Sequence, residues 1–182
     1  MTGYCLIAPG HPVHHSYHAT EYGFPSADET VLFERLCLEI MQAGLSWELV
    51  LKRRDGMRAA FAGFAVDAVA AMGAADEARL LADARIIRNR LKVAAIIENA
   101  RRIQALRASH GGFAAWLDAQ HPLEKPAWVK LFGKTFKFTG GEIVGEFLMS
   151  LGYLPGTHDE SCPVYHEILA LDPPWNASRT QT

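Results

Sequence analysis

The sequence predicts an all-α protein built from many short helices. No segment of useful length alternates apolar and polar residues, whereas apolar residues recur at spacings of three and four throughout. Capping residues, glycines and prolines also punctuate the chain at short intervals, as a succession of short helices requires. With 182 residues, 49% of them hydrophobic and 21% charged, the chain suits one soluble domain over residues 1–172, made of two interdependent helical lobes. The last ten residues, 173–182 (PPWNASRTQT), read as a loose tail.

Taken in order, Ser26-x-x-Glu29 has the pattern of a capping box and opens a helix to about Ala43. Its apolar face is Leu32, Phe33, Leu36, Cys37, Ile40 and Met41, and Gly44 is a suitable stop. Ser46 is placed to cap a short helix through Lys52, Asp67 to cap a turn before Gly73, and Asp76–Asp83 reads as another helix. The run Arg85–Arg90 separates two helical stretches, and Asn89 can cap a long helix that Gly111-Gly112 ends. Pro126 sits where a first-turn proline belongs, before Trp128–Phe132. Ile143, Val144, Phe147, Leu148 and Leu151 make the stripe of a last helix ended by Gly152.

The composition excludes several classes. No apolar run approaches the length of a membrane-spanning helix, and Met1–Gly10 lacks the basic and apolar regions of a secretory signal. Three cysteines (Cys5, Cys37, Cys162) leave any disulfide scheme with one over, so a cytoplasmic protein is expected. The formal charge of −2 hides a marked asymmetry. Residues 1–48 carry one basic and six acidic side chains, residues 49–140 sixteen and eight, and residues 141–182 one and six. Arg85, Arg88, Arg90, Lys92, Arg101, Arg102 and Arg107 face a single acid, Glu98, within that basic centre. Such a stretch is either a solvated helix face or a surface for phosphates.

Among residues suited to chemistry, His158-x-x-x-Cys162 would bring two good metal ligands together on a helical turn. Cys5 and His18 form a second His/Cys pair near the other end. Together they would make a closed Cys₂His₂ tetrahedron with no position left for water, which is a structural arrangement tying the chain ends together. Two free thiols and ordinary histidines are the alternative, and His11, His14 and His15 are competing ligands. Glu39 lies between Leu38 and Ile40 in an apolar stretch. It either belongs to a solvent stripe, paired with Arg35 one turn back, or points into a pocket. Trp47 could stack on a planar ligand or anchor the core, and Tyr17 adjoins His18. The sequence has no Gly-rich phosphate loop, no Gly-x-Ser-x-Gly elbow and no His-Glu-x-x-His helix.

Read together, these segments resemble the DNA-3-methyladenine glycosylase I family. Leu36–Trp47 (LCLEIMQAGLSW) is similar to that family's most distinctive block. Tyr17-His18 with Glu21-Tyr22-Gly23 resembles its YHDxEWG segment, and Ile86–Lys92, Asn99-Ala100 and Phe136–Gly140 (FKFTG) match further blocks in order. The match runs from about residue 4 to 165. It implies an all-α fold of helix-hairpin-helix type that removes 3-methyladenine from double-stranded DNA, as a monomer and without a membrane, by base flipping and hydrolysis of the N-glycosidic bond. By resemblance, Cys5, His18, His158 and Cys162 hold one structural zinc that joins the N- and C-terminal regions. Glu39 is the pocket carboxylate and catalytic residue, with Tyr17, Trp47 and His14 contacting the base. Gln42, Gly44 and Leu45 fill the gap left in the duplex, and Arg85, Arg88, Arg90 and Lys92 grip the phosphates.

The chain departs from the family pattern at Tyr22 and Ile7, where Trp is frequent, and at His14, where an aromatic residue is usual. Arg85 and Leu91 stand where glycine often appears in the hairpin of the wider superfamily. The segment 117–135 is shorter than usual and lacks the family's Ser-rich stretch. Two rival readings stand beside this one: a zinc-stapled helical module that binds damaged DNA without cutting it, and a glycosylase for another alkylated base.

Overall fold

The computed structural model describes residues 3–179 of the chain; residues 180–182 of the expected loose tail lie outside the described residues. The helices run in order α1 (Tyr4–Ile7), α2 (His15–Thr20), α3 (Glu29–Gln42), α4 (Trp47–Ala60), α5 (Val66–Ala70), α6 (Ala74–Ala82), α7 (Arg90–His110), α8 (Phe113–Gln120), α9 (Lys125–Thr135), α10 (Gly141–Ser150), α11 (Pro163–Ala170) and α12 (Pro174–Arg179). Among the described residues there is no strand, as the spacing of apolar residues predicts. No helix is long and apolar enough to cross a membrane.

Several helix ends differ from the sequence expectation. Asp28, not Ser26, caps α3: its carboxylate accepts the N–H groups of Thr30 and Val31 at 2.8 and 3.2 Å. Ser26 instead receives the N–H of Asp28. Ser46 does cap α4, which continues eight residues past Lys52 because Val50, Met57 and Ala60 keep it on the core. Asp67 lies inside α5 and the cap position is Ala65. Asn89 caps α7 through the Lys92 N–H, and Gly111 ends it in the left-handed conformation (φ 85°).

Helix α3 organises the fold, packing against α4, α5, α7, α8 and α10. Every residue from Leu32 to Met41 is buried, so the one-faced helix suggested by its apolar stripe is enclosed on all sides. Three charged residues are buried with it. Glu34 takes hydrogen bonds from Arg54 and Arg58 at 2.7 Å. Arg35 donates to the carbonyls of Phe24 and Ser150. Glu39 has neither kind of partner, and the expected Glu39–Arg35 pair does not form. Around this axis an aromatic layer of Phe113, Trp116, Trp128, Phe132, Phe136 and Phe147 joins α8, α9 and α10.

The chain beyond Asp172, expected to be loose, forms α12. Trp175 is buried, lies parallel to Tyr165 at 6.2 Å, and donates its N–H to the Gly152 carbonyl. That burial is the physical reason the segment is held.

Candidate active site and metal centre

The N-terminal stretch serves two neighbouring centres. Cys5 on α1 and His18 on α2 turn towards His158 and Cys162. The sequence places the last two at helical spacing, yet they lie in the turns before α11, and the fold rather than a helix face unites them. One ligand atom from each of the four buried residues lies within 4.8 Å of the others. Cys5 Sγ is 3.6 Å and Cys162 Sγ 3.8 Å from His158 Nδ1, and Cys162 Sγ is 3.9 Å from His18 Nε2. A tetrahedral ion about 2.3 Å from sulfur and about 2.05 Å from nitrogen needs S···N separations near 3.6 Å. The cluster therefore has the size, donor set and closure of a metal site.

The protonation of these groups agrees. His158 Nε2 lies 2.7 Å from the Tyr22 carbonyl, so its proton belongs there and the Nδ1 lone pair faces the cluster. Burial, helped by His158, lowers His18 to about 4, and burial also lowers His158; neutral imidazole is the ligand form. Burial pushes the Cys5 thiol up, with Cys162 adding to it. A thiolate at Cys5 is therefore favoured only where a cation sits beside it.

The sequence neighbours of those ligands face the other way. Tyr4, Tyr17 and Tyr22 join His14, Glu39, Gln42, Trp47, Glu48 and Glu146 around a cavity of about 480 Å³. Tyr17 and Trp47 have ring centroids 4.9 Å apart at 63°, forming adjacent walls rather than a closed stack. His14 bonds the Tyr4 hydroxyl at 3.1 Å and rests against His11. Glu39 is 4% exposed, and among the described residues no side chain or backbone group donates to it. Burial first, and the charge of Glu146 second, hold its carboxyl well above the usual carboxylate range. The solvent-stripe alternative for Glu39 is thereby corrected: α10 covers that side of α3.

A second cavity of about 500 Å³ shares Glu39, Gln42 and Glu146 and opens along Ala43, Gly44 and Leu45. Gly44 turns the chain at φ 80°, and Leu45 is 39% exposed at the tip. The residues expected in the pocket, Tyr17, Glu39, Trp47 and His14, all line the first cavity, while Gln42, Gly44 and Leu45 line the second.

The basic stretch behaves differently. Lys92 is buried, and its Nζ donates to the Met41 and Ala43 carbonyls at 2.8 and 2.6 Å, bracing the turn after α3. It is not a surface cation, because the unmatched carbonyls at the end of α3 draw it inward. Arg85 is held by Asp83 at 2.8 Å. Arg101 binds the Ala70 and Met72 carbonyls, Arg102 pairs with Glu98, and Arg107 pairs with Glu29 and Asp67. Arg88 and Arg90, in and after the hairpin between α6 and α7, are exposed. The sequence reading missed Tyr4, Tyr22 and Glu146. Glu146 could have been found by the signal that singled out Glu39, an acid within an apolar helix.

Fold and site together define a helical protein with a closed Cys/His cluster beside an aromatic-walled, acidic cavity. The chain belongs to the methyladenine glycosylase family, whose model matches residues 7–131. It is similar to DNA-3-methyladenine glycosylase 1 of Escherichia coli (strain K12), with 52% identity over 90 residues, half of this chain and 48% of that relative. It is also 32% identical to DNA-3-methyladenine glycosylase of Haemophilus influenzae over 90% of this chain and 98% of that one. Among solved structures, a crystal structure of 3-methyladenine DNA glycosylase I matches with TM-score 0.77 and 35% identity, covering 86% of this chain and 96% of the other. A Staphylococcus aureus structure addressing 3-methyladenine recognition matches with TM-score 0.77 and 28% identity, covering 88% and 95%.

Proposed function

We propose that this protein is a DNA glycosylase that removes 3-methyladenine from alkylated DNA, acting on a base flipped out of the double helix. The observation that carries the reading is Glu39: a buried carboxyl with no protein donor, in a cavity walled by Trp47 and Tyr17. An unpartnered buried polar group costs stability, and a ligand with matching donors removes that cost. Adenine methylated at N3 in DNA is cationic, so its glycosidic bond is already weakened. The site then needs to hold the base more than to protonate it.

In this reading Trp47 stacks on the flipped ring, a contact worth about 0.5–2 kcal/mol for a cation. Glu39 and the Tyr17 hydroxyl bond the base, with His14 on the opposite wall. Neutral adenine is rejected because it leaves Glu39 mismatched. Gln42, Gly44 and Leu45 fill the vacated stack, offsetting a flipping cost of a few kcal/mol. Arg88 and Arg90 supply phosphate contacts, with the hairpin backbone between α6 and α7. Water bonds to the sugar C1′ as the C1′–N9 bond breaks; the electron pair leaves with the base as neutral 3-methyladenine, the water proton passes to solvent, and no strand break results.

For the cluster, Cys5, His18, His158 and Cys162 fit zinc, which when bound would neutralise two thiolates and fix the chain ends. All four ligands are internal, so its contribution is to the fold. The cavity and cluster are complete within one chain, which supports a monomer, and a cytoplasmic place suits an enzyme of DNA repair.

The test is release of free bases from alkylated duplex DNA, resolved by chromatography, for wild type and Glu39→Gln. Release of 3-methyladenine by wild type alone is expected. A folded wild type that binds the DNA and releases nothing would overturn the assignment in favour of a binding module. A protein–DNA adduct trapped by borohydride would contradict hydrolysis by water.

A further inference from the structure

The cavity contains more negative charge than one recognition carboxyl requires. Glu39, Glu48 and Glu146 line it, and no lysine or arginine does. Glu48 is matched by Lys52 at 2.6 Å. Glu146 is not matched by a cation among the described residues: the nearby Lys125 pairs with Glu142, and Arg35 is committed to carbonyls. What holds Glu146 is the Tyr22 hydroxyl, which donates to its Oε2 at 2.9 Å. Tyr22 is in turn fixed edge-on by Tyr4 at 5.6 Å, and its carbonyl receives His158 Nε2–H. The carboxylate thus projects from α10 into the cavity on a braced neutral donor.

We propose that Glu146 is a specificity-determining residue: its carboxylate, held by Tyr22, makes the cavity prefer a permanently cationic purine over a neutral one of the same shape. This rests on the reading that a flipped base enters between Glu39, Tyr17 and Trp47. The two acids divide the work. Glu39, buried and held above the usual carboxylate range by burial and then by Glu146, is placed to share hydrogen bonds with the base. The carboxyl of half-buried Glu146 faces the same cavity, where it acts on a bound cation through less solvent than a surface pair would. Tyr22 is a positioning residue.

Two probes of equal shape separate charge from fit: 3,9-dimethyladeninium, a fixed cation, and 3,9-dimethyl-3-deazaadenine, its neutral isostere. Binding to the metal-loaded protein is followed by tryptophan fluorescence at pH 7.5, alongside base release from alkylated DNA. Wild type should prefer the cation by about ten-fold or more, a difference of about 1.4 kcal/mol. E146Q should lose most of that preference while binding the neutral probe as before. Y22F should lose part of it, again without weakening the neutral probe.

If wild type excises 3-methyladenine and both variants keep the full preference, the assignment of Glu146 is overturned and the glycosylase reading stands. Equal weakening of both probes in E146Q would also overturn it, because that is loss of shape. Should E146Q fail to fold, Y22F decides alone, and an unchanged preference there rejects the proposal. A wild type that neither excises nor binds either probe would overturn the glycosylase reading and this inference together.

Discussion

Cys5 and His18 turn into a cluster whose four side chains lie within 4.8 Å of one another, while Tyr4 and Tyr17, one residue before each, wall a cavity of about 480 Å³. The two centres share a stretch of chain and differ in how their polar groups are satisfied. In the cluster every ligand atom faces another, and His158 has its second nitrogen on the Tyr22 carbonyl. In the cavity, among the described residues, no group donates to Glu39 and only a hydroxyl donates to Glu146. A closed set of donors stabilises a fold. An open set leaves an interaction for a ligand to complete, at a cost to the empty protein.

The largest effect should come from breaking the closed side. On the proposed zinc reading, removing the metal with a strong chelator, or making Cys162→Ala, should lower the melting temperature by roughly 10 °C or more and abolish base release with it, since Tyr4 and Tyr17 lose their anchors. Differential scanning calorimetry checks this; a chelated protein that melts unchanged would contradict the structural assignment of the cluster.

Breaking the open side should do the opposite to stability. Glu39→Gln should eliminate base release and yet melt higher than wild type at pH 7.5, by roughly 2–4 °C for each kcal/mol gained. The sign follows from the raised carboxyl. A group held above its ordinary value near ~4.3 stabilises the fold below that value, and the contribution is lost as pH rises towards the folded value. Glutamine does not ionise, so the two proteins should converge near pH 4. A lower melting point for the variant at pH 7.5 would show that Glu39 has a partner after all.

A smaller loss is expected at Lys92→Met. The buried ammonium makes two charge-assisted hydrogen bonds to the turn carrying Gly44 and Leu45, each worth about 1.5–3 kcal/mol. The variant should bind abasic-site DNA at least about ten-fold more weakly, with the salt dependence of binding unchanged because no phosphate contact is removed. The smallest effect belongs to Arg88→Ala and Arg90→Ala. Each should weaken binding to damaged and undamaged DNA alike and reduce the slope of log affinity against log salt by about one. An equal change in slope for Lys92→Met would mean that it reaches the backbone.

The fold class was legible in the sequence because it depends on local period, and the cluster because it depends on residue type. Helical spacing, the Ser46 and Asn89 caps and the Gly111 stop are local. The three thiols are scarce enough that Cys5 and Cys162 stand out, while eight histidines left competing ligands. The fate of charge was less legible, because it depends on what packs against each helix. Arg35, Glu34 and Glu39 occupy one helix and look alike in sequence. Phe24 and Ser150 carbonyls take the first, Arg54 and Arg58 the second, and among the described residues nothing takes the third. The same holds for the basic centre, where carbonyls at Ala70, Met72 and Ala43 and acids at Glu29 and Asp67 engage side chains that look free in a linear count. Ser26 lost its cap to Asp28 because a carboxylate two residues later reached two N–H groups.

The contrast between a closed structural centre and an open chemical one is tested most directly by replacing the metal with Co²⁺ and recording its visible spectrum with and without saturating 3-methyladenine. The expected spectrum has the intense absorption of a tetrahedral S₂N₂ site, unchanged by the base even as the Trp47 fluorescence responds. Bands that shift when the base binds, or that report an additional open coordination position, would contradict it by placing the metal in the chemistry.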